Sequence, residues 1–410
     1  FAFKTSILLL KINKTTMYPS LYYAVKDLFG LDLPFLKMFQ SFGFFVALAF
    51  LIAAFFWSKE LKRKEQEGLL HSTTTKFLKG QKATLAELIT SGIIGFVLGY
   101  KLLFVALNFQ AFTNNTQGFL LSIQGSVIGG ILGAALSAYL KYREKEKTRL
   151  KEPVWVEKEV HPYEHVGNMT LIAAFTGIIG AKIFHNLENW DEFIVDPVGA
   201  LLSFSGLTMY GGLIVASISL IYYGHKNKIT VTHMIDASAP SLMLAYAVGR
   251  IGCQVAGDGD WGIDNTAPKP GWLSWAPDWV WSYDYPNNVN GVGEPLANCV
   301  SDKYCTHLVP PVFPTPLYET FMCLVLFFVL WYLRKRISTP GVLFCLYLIF
   351  NGIERFFIEK IRVNTLYHIG NFGFTQAELI STLLVIVGIA GIIYFRKQEK
   401  IQKSRGIKPA

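Results

Sequence analysis

Apolar stretches of about twenty residues recur along this chain, and no other feature limits its fold so strongly. At a helical rise of about 1.5 Å per residue, each is long enough to cross the hydrocarbon core of a bilayer, roughly 30 Å thick. Nine such segments are read, at 39–57, 88–107, 119–140, 166–187, 198–223, 232–256, 313–333, 341–359 and 374–395. Short polar stretches separate most of them, so the expected fold is an all-α polytopic integral membrane protein. A hydrophobic content of 52% would by itself also fit a large soluble protein; the spacing decides against that.

The net charge of +9 raises the question of nucleic acid, but the charges sit elsewhere. Alternate loops, at 59–82, 141–158, 226–228, 334–336 and 396–408, hold 25 of the 38 Lys and Arg residues. The positive-inside rule then places the N-terminus outside and the C-terminus in the cytoplasm. Basic runs such as "KYREKEKTRLK" are topology signals on this reading, and no nucleic-acid partner is expected.

Ahead of the first span, residues 1–38 form an outer segment whose "SILLLKI" is too short to cross a bilayer and lacks a small-residue cleavage site. Met17 is a candidate start. Between the sixth and seventh spans, residues 257–312 form an outer loop of 56 residues with seven acidic and two basic side chains. Its "GWLSWAPDWVWSYDYPNN" sets Trp272, Trp275, Trp279 and Trp281 close together. Such aromatics favour the membrane interface, although a packed outer subdomain fits them equally. Cys299 and Cys305 lie on the same side, where oxidising conditions permit a disulfide.

Part of the chain reads as a duplication, the alternative being the small-residue packing common to membrane helices. "LITSGIIGFVLGYKLLF" from Leu88 resembles "IAAFTGIIGAKIFHNLE" from Ile172, and the helices that follow match too, "LLSIQGSVIGGILGA" from Leu120 against "LLSFSGLTMYGGLIVA" from Leu201. Each copy reads as a helix pair, so a duplication preserves the topology of everything downstream. The second copy has Tyr210 before its glycine pair, Gly211 and Gly212, where the first has Ile128.

Ionisable groups within spans are costly and ordinarily face a polar interior. Counted from the cytoplasmic ends, Lys101, Tyr210, Glu319 and Arg355 lie about 20 Å up, Lys182 about 24 Å, and Arg250 and Glu359 about 27 Å. All seven fall in the outer half of the membrane. Arg355, Glu359 and Arg362 share a helix face at i, i+4, i+7. A cationic layer at that depth suits the phosphate of an anionic lipid, because a guanidinium presents a fork of donors to phosphate oxygens. Asp236, about 21 Å from Arg250 along its helix, is too far to pair with it and is expected to serve structure.

The segment "GRIGCQVAGDGDWG" at 249–262 resembles the signature of the prolipoprotein diacylglyceryl transferases. Four further matches follow the family's order: "GLTMYGGLI" at Gly206, "DASAPSLMLAYAVGR" at Asp236, "PTPLYE" at Pro314 and "ERFFIEKIR" at Glu354. "GIIGAKIF" and the final "FTQAELIS" extend the likeness. The resemblance implies transfer of the diacylglyceryl group of phosphatidylglycerol to the lipobox cysteine of a prolipoprotein, forming a thioether and releasing glycerol phosphate. It implies that Arg250 and Arg355 engage the phosphate and stabilise the leaving group. Glu359, Arg362, Tyr318 and Glu319 would shape or support that site, Gly211 and Gly212 would line the substrate, and Asp258 matches the family's acidic residue. Neither a metal nor an organic cofactor is implied.

Two departures bear on chemistry. Tyr210 stands at a catalytic position where many members carry a His proposed as the base for the thiol, and a phenol with pKa near 10 is a poor base at neutral pH. Tyr210 is then expected to orient the lipid or substrate unless neighbouring cations draw off its proton. Phe313 likewise replaces a His, leaving His185, His307 and His368 as alternative bases near the outer side. "GDGDWG" is also one residue longer than usual, and Asp258, Asp260 and Asp264 form only an incomplete calcium loop, so a turn is expected there.

The resulting map has an outer segment at 1–38, membrane helices at 39–256 with an extra helix pair at 88–140, an outer loop domain at 257–312, membrane helices at 313–395 and a basic tail at 396–410. The protein implied is a transferase of a bacterial inner membrane, acting on phosphatidylglycerol and prolipoprotein signal peptides among membrane lipids. A transporter of an anionic solute or lipid is the alternative, since charged helix faces and a repeat also line translocation paths.

Overall fold

The computed structural model describes residues 16–114, 119, 122–203, 206, 208–297, 299, 303–369 and 372–404. The "SILLLKI" segment and the last six residues of the basic tail lie outside them. Among the described residues nine helices have eighteen or more residues: α1 (Ser41–Gln66), α2 (Leu85–Leu107), α3 (Val127–Lys147), α4 (Val166–Glu188), α5 (Met209–Lys226), α6 (Val231–Ala256), α7 (Thr315–Leu333), α8 (Val342–Glu359) and α9 (Gln376–Ser404). Five of these, α1, α2, α4 with the turn before it, α7 and α9, are long and apolar enough to cross a membrane. Their outward faces are bare hydrocarbon, as with Leu51 and Phe55 on α1, Leu102 on α2 and Phe175 on α4. Such surfaces require lipid, and the chain is a mostly helical polytopic membrane protein.

The apolar segments locate the helices better than their ends. α1 and α9 run past their apolar stretches into charged turns, to Gln66 and Ser404, because Lys, Glu, Gln and Arg are good helix formers. The single helix expected over 198–223 is two: a short one, Pro197–Leu202, and α5 from Met209. Gly206 between them has φ 72°, left-handed backbone that no helix accommodates. α3 starts later than expected, where Ser126 caps it by accepting from the Gly129 N–H at 3.1 Å. Among the described residues six short strands, which apolar patterning did not signal, form three antiparallel pairs.

The chain divides into two compact units. One comprises Ser72–His161 and Leu171–Tyr223 and holds both copies of the repeat. Small residues bring each pair together: a Cβ on Gly95 would lie 2.3 Å from the Gly133 carbonyl, and one on Gly180 2.5 Å from that of Gly211. Gly95 and Gly180 align in sequence, yet their partners do not. By sequence Gly211 corresponds to Gly129, one helical turn before Gly133, so the returning helix of the first copy is displaced by a turn. The α2–α3 pair is flanked by strands β1 (Thr73–Lys79) and β2 (Val154–Val160), joined from Thr73↔Val160 to Lys79↔Val154.

The other unit comprises Phe1–His71, Pro162–Thr170 and Gly224–Ala410. Here α6 is central. Its Ala239, Met243, Leu244, Ala247 and Val248 pack with Ala49 of α1, Cys323, Phe327 and Leu330 of α7 and Leu343 of α8. Small residues keep these helices close; a Cβ on Gly252 would lie 2.8 Å from that of Phe45. Asp236 caps α8, accepting from the Gly341 N–H at 2.7 Å and the Phe344 N–H at 2.9 Å. The structural role expected for it is thus a specific one: it satisfies helix-terminal donors that would otherwise be buried without partners.

Where α1 and α7 end, Glu60, 1% exposed, accepts from Arg63 Nε at 3.0 and 3.1 Å and from Arg334 Nε at 2.8 Å. Arg334 also lies flat on Trp331, 3.3 Å from the ring centre. Residues read as topology signals therefore include a buried ion cluster.

The loop over 257–312 has its own core of Tyr283, Tyr285, Leu308 and Val312 with Met17, flanked by Trp261 and Trp279. Cys299 and Cys305 are bridged. Trp272 and Trp275 are 73% and 81% exposed, so the loop is both a packed subdomain and a bearer of bare indoles.

Candidate active site

The far end of α6 and α7 from Glu60 holds a second ionic cluster. Arg250 is one turn after Tyr246 on α6, Glu319 opens α7, Arg355 and Glu359 close α8, and Arg362 follows it. Glu319 is fully buried and joins all three arginines: Arg250 Nε at 2.7 Å, Arg362 Nη1 at 3.3 Å and Arg355 Nη1 at 4.0 Å. It also accepts from the Tyr246 hydroxyl. A carboxylate withdrawn from water is costly unless fully paired, and here three cations pair it.

Asp260 supplies a second bridge. Its carboxylate accepts from Arg362 Nη2 at 2.6 Å and from Arg250 Nη1. Burial would raise the pKa of this carboxyl, but the Arg250 and Arg362 guanidinia outweigh that and hold it at about 2. The loop reaches the cluster because Gly262 forms a bridge with Arg362, with Ile263 N–H donating to the Ile361 carbonyl at 2.9 Å. Only glycine fits: a Cβ at 262 would lie 2.4 Å from that carbonyl. The residue expected at the site was Asp258, and it is not on the arginines. Its Oδ1 accepts from the Asp260 N–H at 3.4 Å, and burial and the charge of Asp260 push its carboxyl up. The carboxylate on the arginines is thus that of Asp260, two positions further along "GDGDWG".

Arg355 differs from the other two arginines. Its Nη2 pairs with Glu359 at 3.0 Å, and Glu359 also accepts from Asn364 Nδ2 at 2.6 Å. Its Nη1 is buried and donates to nothing among the described residues, the Glu319 oxygen at 4.0 Å being beyond hydrogen-bond range. The terminal nitrogens of Arg250 and Arg362, by contrast, all donate, to Asp260, Glu319 and the Tyr246 hydroxyl, and only their inner Nε atoms are without an acceptor among the described residues.

The remaining sequence-derived residues sit in other settings. Tyr318 donates to the Val280 carbonyl at 2.8 Å and so ties α7 to the outer loop. Tyr210, Gly211 and Gly212 open α5 in the other unit, where the glycines are buried against α4. In that unit Lys101 donates to the carbonyls of Ser122 and Gln124, which explains its charge structurally. Of the histidines, His307 Nδ1 is 3.1 Å from Asp284, His185 Nδ1 is 3.2 Å from Asn189 Nδ2, and His368 is exposed on a short strand, Tyr367–Ile369. Cys253, Asp258 and Asp260 bring ligand atoms within 4.8 Å of one another, but Arg250 and Arg362 already meet the charge of Asp260. Sequence reasoning passed over Tyr246, whose i−4 spacing from Arg250 was the available signal, and Asn364, which had none.

The fold and this cluster define a polytopic membrane protein with a buried, arginine-rich polar site between its helices. The family model "Prolipoprotein diacylglyceryl transferase" matches residues 147–394, more than half of the chain, and the chain belongs to that family. Similar proteins named phosphatidylglycerol–prolipoprotein diacylglyceryl transferase come from several bacteria. The protein from Streptococcus agalactiae is 26% identical over 283 residues, covering 68% of this chain and 94% of its own. That from Dehalococcoides mccartyi is 27% identical over 240 residues (58% and 80%), and that from Leptospira interrogans 24% over 319 residues (66% and 88%). These matches favour group transfer over the transport reading.

Proposed function

We propose that this protein is a transferase that moves the diacylglyceryl group of phosphatidylglycerol to the lipobox cysteine thiol of a prolipoprotein. The observation that carries the reading is the unfilled Nη1 of Arg355. A buried donor without an acceptor costs about 1–3 kcal/mol, more when charged, and a phosphodiester oxygen placed there recovers it. In the reaction sulfur bonds to the glyceryl carbon next to the phosphate, the carbon–oxygen bond breaks, and glycerol phosphate leaves with the electron pair. Charge grows on that phosphate as the bond breaks, so a fixed guanidinium beside it lowers the barrier.

Glu359 and Glu319 hold Arg355 in place for this role. Arg250 and Arg362 set the field and fix Glu319 and Asp260; Arg250 reaches the phosphate itself once Asp260 yields its Nη1. Tyr210, Gly211 and Gly212 serve the bound lipid, Tyr318 orders the outer loop, and Asp258 takes no direct part. All nine long helices cross a bacterial inner membrane, with the N-terminus outside and the cluster toward the outer face. α2 and α3 are the extra pair.

The test is the reaction. Membranes holding the protein, phosphatidylglycerol and a lipobox peptide are expected to yield a diacylglyceryl peptide, detected by its mass. Folded protein that forms no such product refutes the transferase assignment.

A further inference from the structure

One carboxyl beside the arginines takes no part in their network. Glu354 on α8 is 4% exposed, and among the described residues neither of its side-chain oxygens has a hydrogen-bond partner. Asp260, Glu319 and Glu359 are each paired with arginine. Charges reach Glu354 from Glu319 of α7, Arg355 of its own helix, Arg250 of α6 and Arg362; Tyr246 of α6, Cys323 of α7 and Tyr347 of α8 are its other titratable neighbours among the described residues. A buried acceptor with no donor is the counterpart of the unfilled donor on Arg355, and the two residues are adjacent in sequence. They sit at one depth, about 100° apart around the helix.

Glu354 stands in the wall of a cleft of about 290 Å³ between α7 and α8. It is the one polar side chain there, among Phe321, Met322 and Val325 of α7 and Phe350, Ile353 and Phe357 of α8. Phe321 and Phe357 are 69% and 67% exposed, so the rim faces the surroundings of the helices, which for membrane-spanning helices is lipid. The volume is at the small end for ligand pockets, about 300 Å³. It has room for a side chain or two, not for the paired acyl chains of a phospholipid. The occupant that fits is an apolar peptide arriving through the bilayer with a single weak donor at its reacting atom. A cysteine in a signal peptide has that chemistry.

We infer that Glu354 accepts the proton of the lipobox cysteine thiol. The inference rests on the transferase reading above. The S–H proton passes to a Glu354 carboxylate oxygen and the sulfur attacks the glyceryl carbon. The carbon–oxygen bond breaks, glycerol phosphate departs against Arg355, and Glu354 returns its proton to the leaving phosphate.

The experiment uses the full-length protein in phosphatidylglycerol-containing micelles with a lipobox peptide, and records initial rates from about pH 6 to 9, spanning the thiol pKa near 8.5. At neutral pH Glu354→Gln is expected to be slower by about 100-fold, the lower range for loss of a general base. Its rate should then climb about tenfold per pH unit toward the thiol pKa, since solution ionisation replaces the missing acceptor. Glu354→Asp should keep part of the activity. Glu354→Leu suits the apolar wall and should reproduce the deficit, which keeps the test decisive where the glutamine variant does not accumulate. A glutamine variant with wild-type rates overturns the inference, as does one slowed by one factor at every pH. Weakened phosphatidylglycerol binding with unchanged pH behaviour also overturns it, assigning Glu354 to a lipid hydroxyl instead. Absence of thioether product from the wild type is a separate result, which removes the transferase reading itself.

Discussion

The unit built around α6 carries one ionic cluster near the ends of α1 and α7 and another at the far end of α7, about 22 Å along that helix. Around Glu60 the ionic partners are complete: two arginines close on one carboxylate, and one of them is also stacked on Trp331. Around Glu319 three arginines meet three carboxylates, yet among the described residues Nη1 of Arg355 and the Nε atoms of Arg250 and Arg362 are left without a hydrogen-bond acceptor. Both clusters are buried and both join helices, so burial and charge alone do not separate them. What does is whether the protein satisfies its own donors. A closed cluster needs nothing further, whereas an open one is finished only by what binds.

The comparison breaks most sharply at Arg355. Arg355→Lys, which keeps a cation beside Glu359 but loses the Nη1 donor, is expected to slow diacylglyceryl transfer by about 100- to 1000-fold, the range for loss of one donor to developing charge, with the thermal midpoint in detergent little changed. Glu60→Ala should do the reverse. It leaves Arg63 and Arg334 facing each other, costing roughly 3 kcal/mol of stability, read by denaturant or thermal unfolding, while kcat of the protein that remains folded is unaltered.

A finer distinction lies within the outer loop. Asp260→Asn should lower activity and loosen the cluster, whereas Asp258→Asn should have little effect on transfer rate. The carboxyl of Asp260 is depressed to about 2, below the unfolded value near 3.9. Its contribution to stability is therefore complete above pH 4 and lost as the pH falls through 2. Acid unfolding curves of the wild type and Asp260→Asn should diverge above that window and converge below it. The smallest effect expected is that of Asp236→Ala, which removes the cap of α8 for about 1–2 kcal/mol, measured as a lowered unfolding midpoint.

Most of this arrangement was legible in the residues, because hydrophobic length and intramembrane charge are written directly into a chain that must satisfy lipid. The nine apolar segments lead to the nine long helices, and Arg250, Glu319, Arg355, Glu359 and Arg362 do meet. Three things were not legible. The break at Gly206 lies inside an unbroken apolar run, so only backbone geometry shows it. The choice of Asp260 over Asp258 turns on how the loop is held by its bridge to Ile361 and Arg362, which is tertiary. Glu354 was visible in "ERFFIEKIR", but an isolated acidic residue on a helix carries no mark of what stands opposite it.

The β1–β2 ladder has a consequence of another kind. By pairing Lys79 with Val154, it brings the chain's departure into the α2–α3 pair beside its return. Two antiparallel strands so aligned are the stem of a hairpin, which a two-residue turn closes. The pair of helices is thus a detachable excursion from the polypeptide: a version with residues 80–153 replaced by Asn-Gly would keep the stem's register and leave the rest of the chain's connectivity untouched.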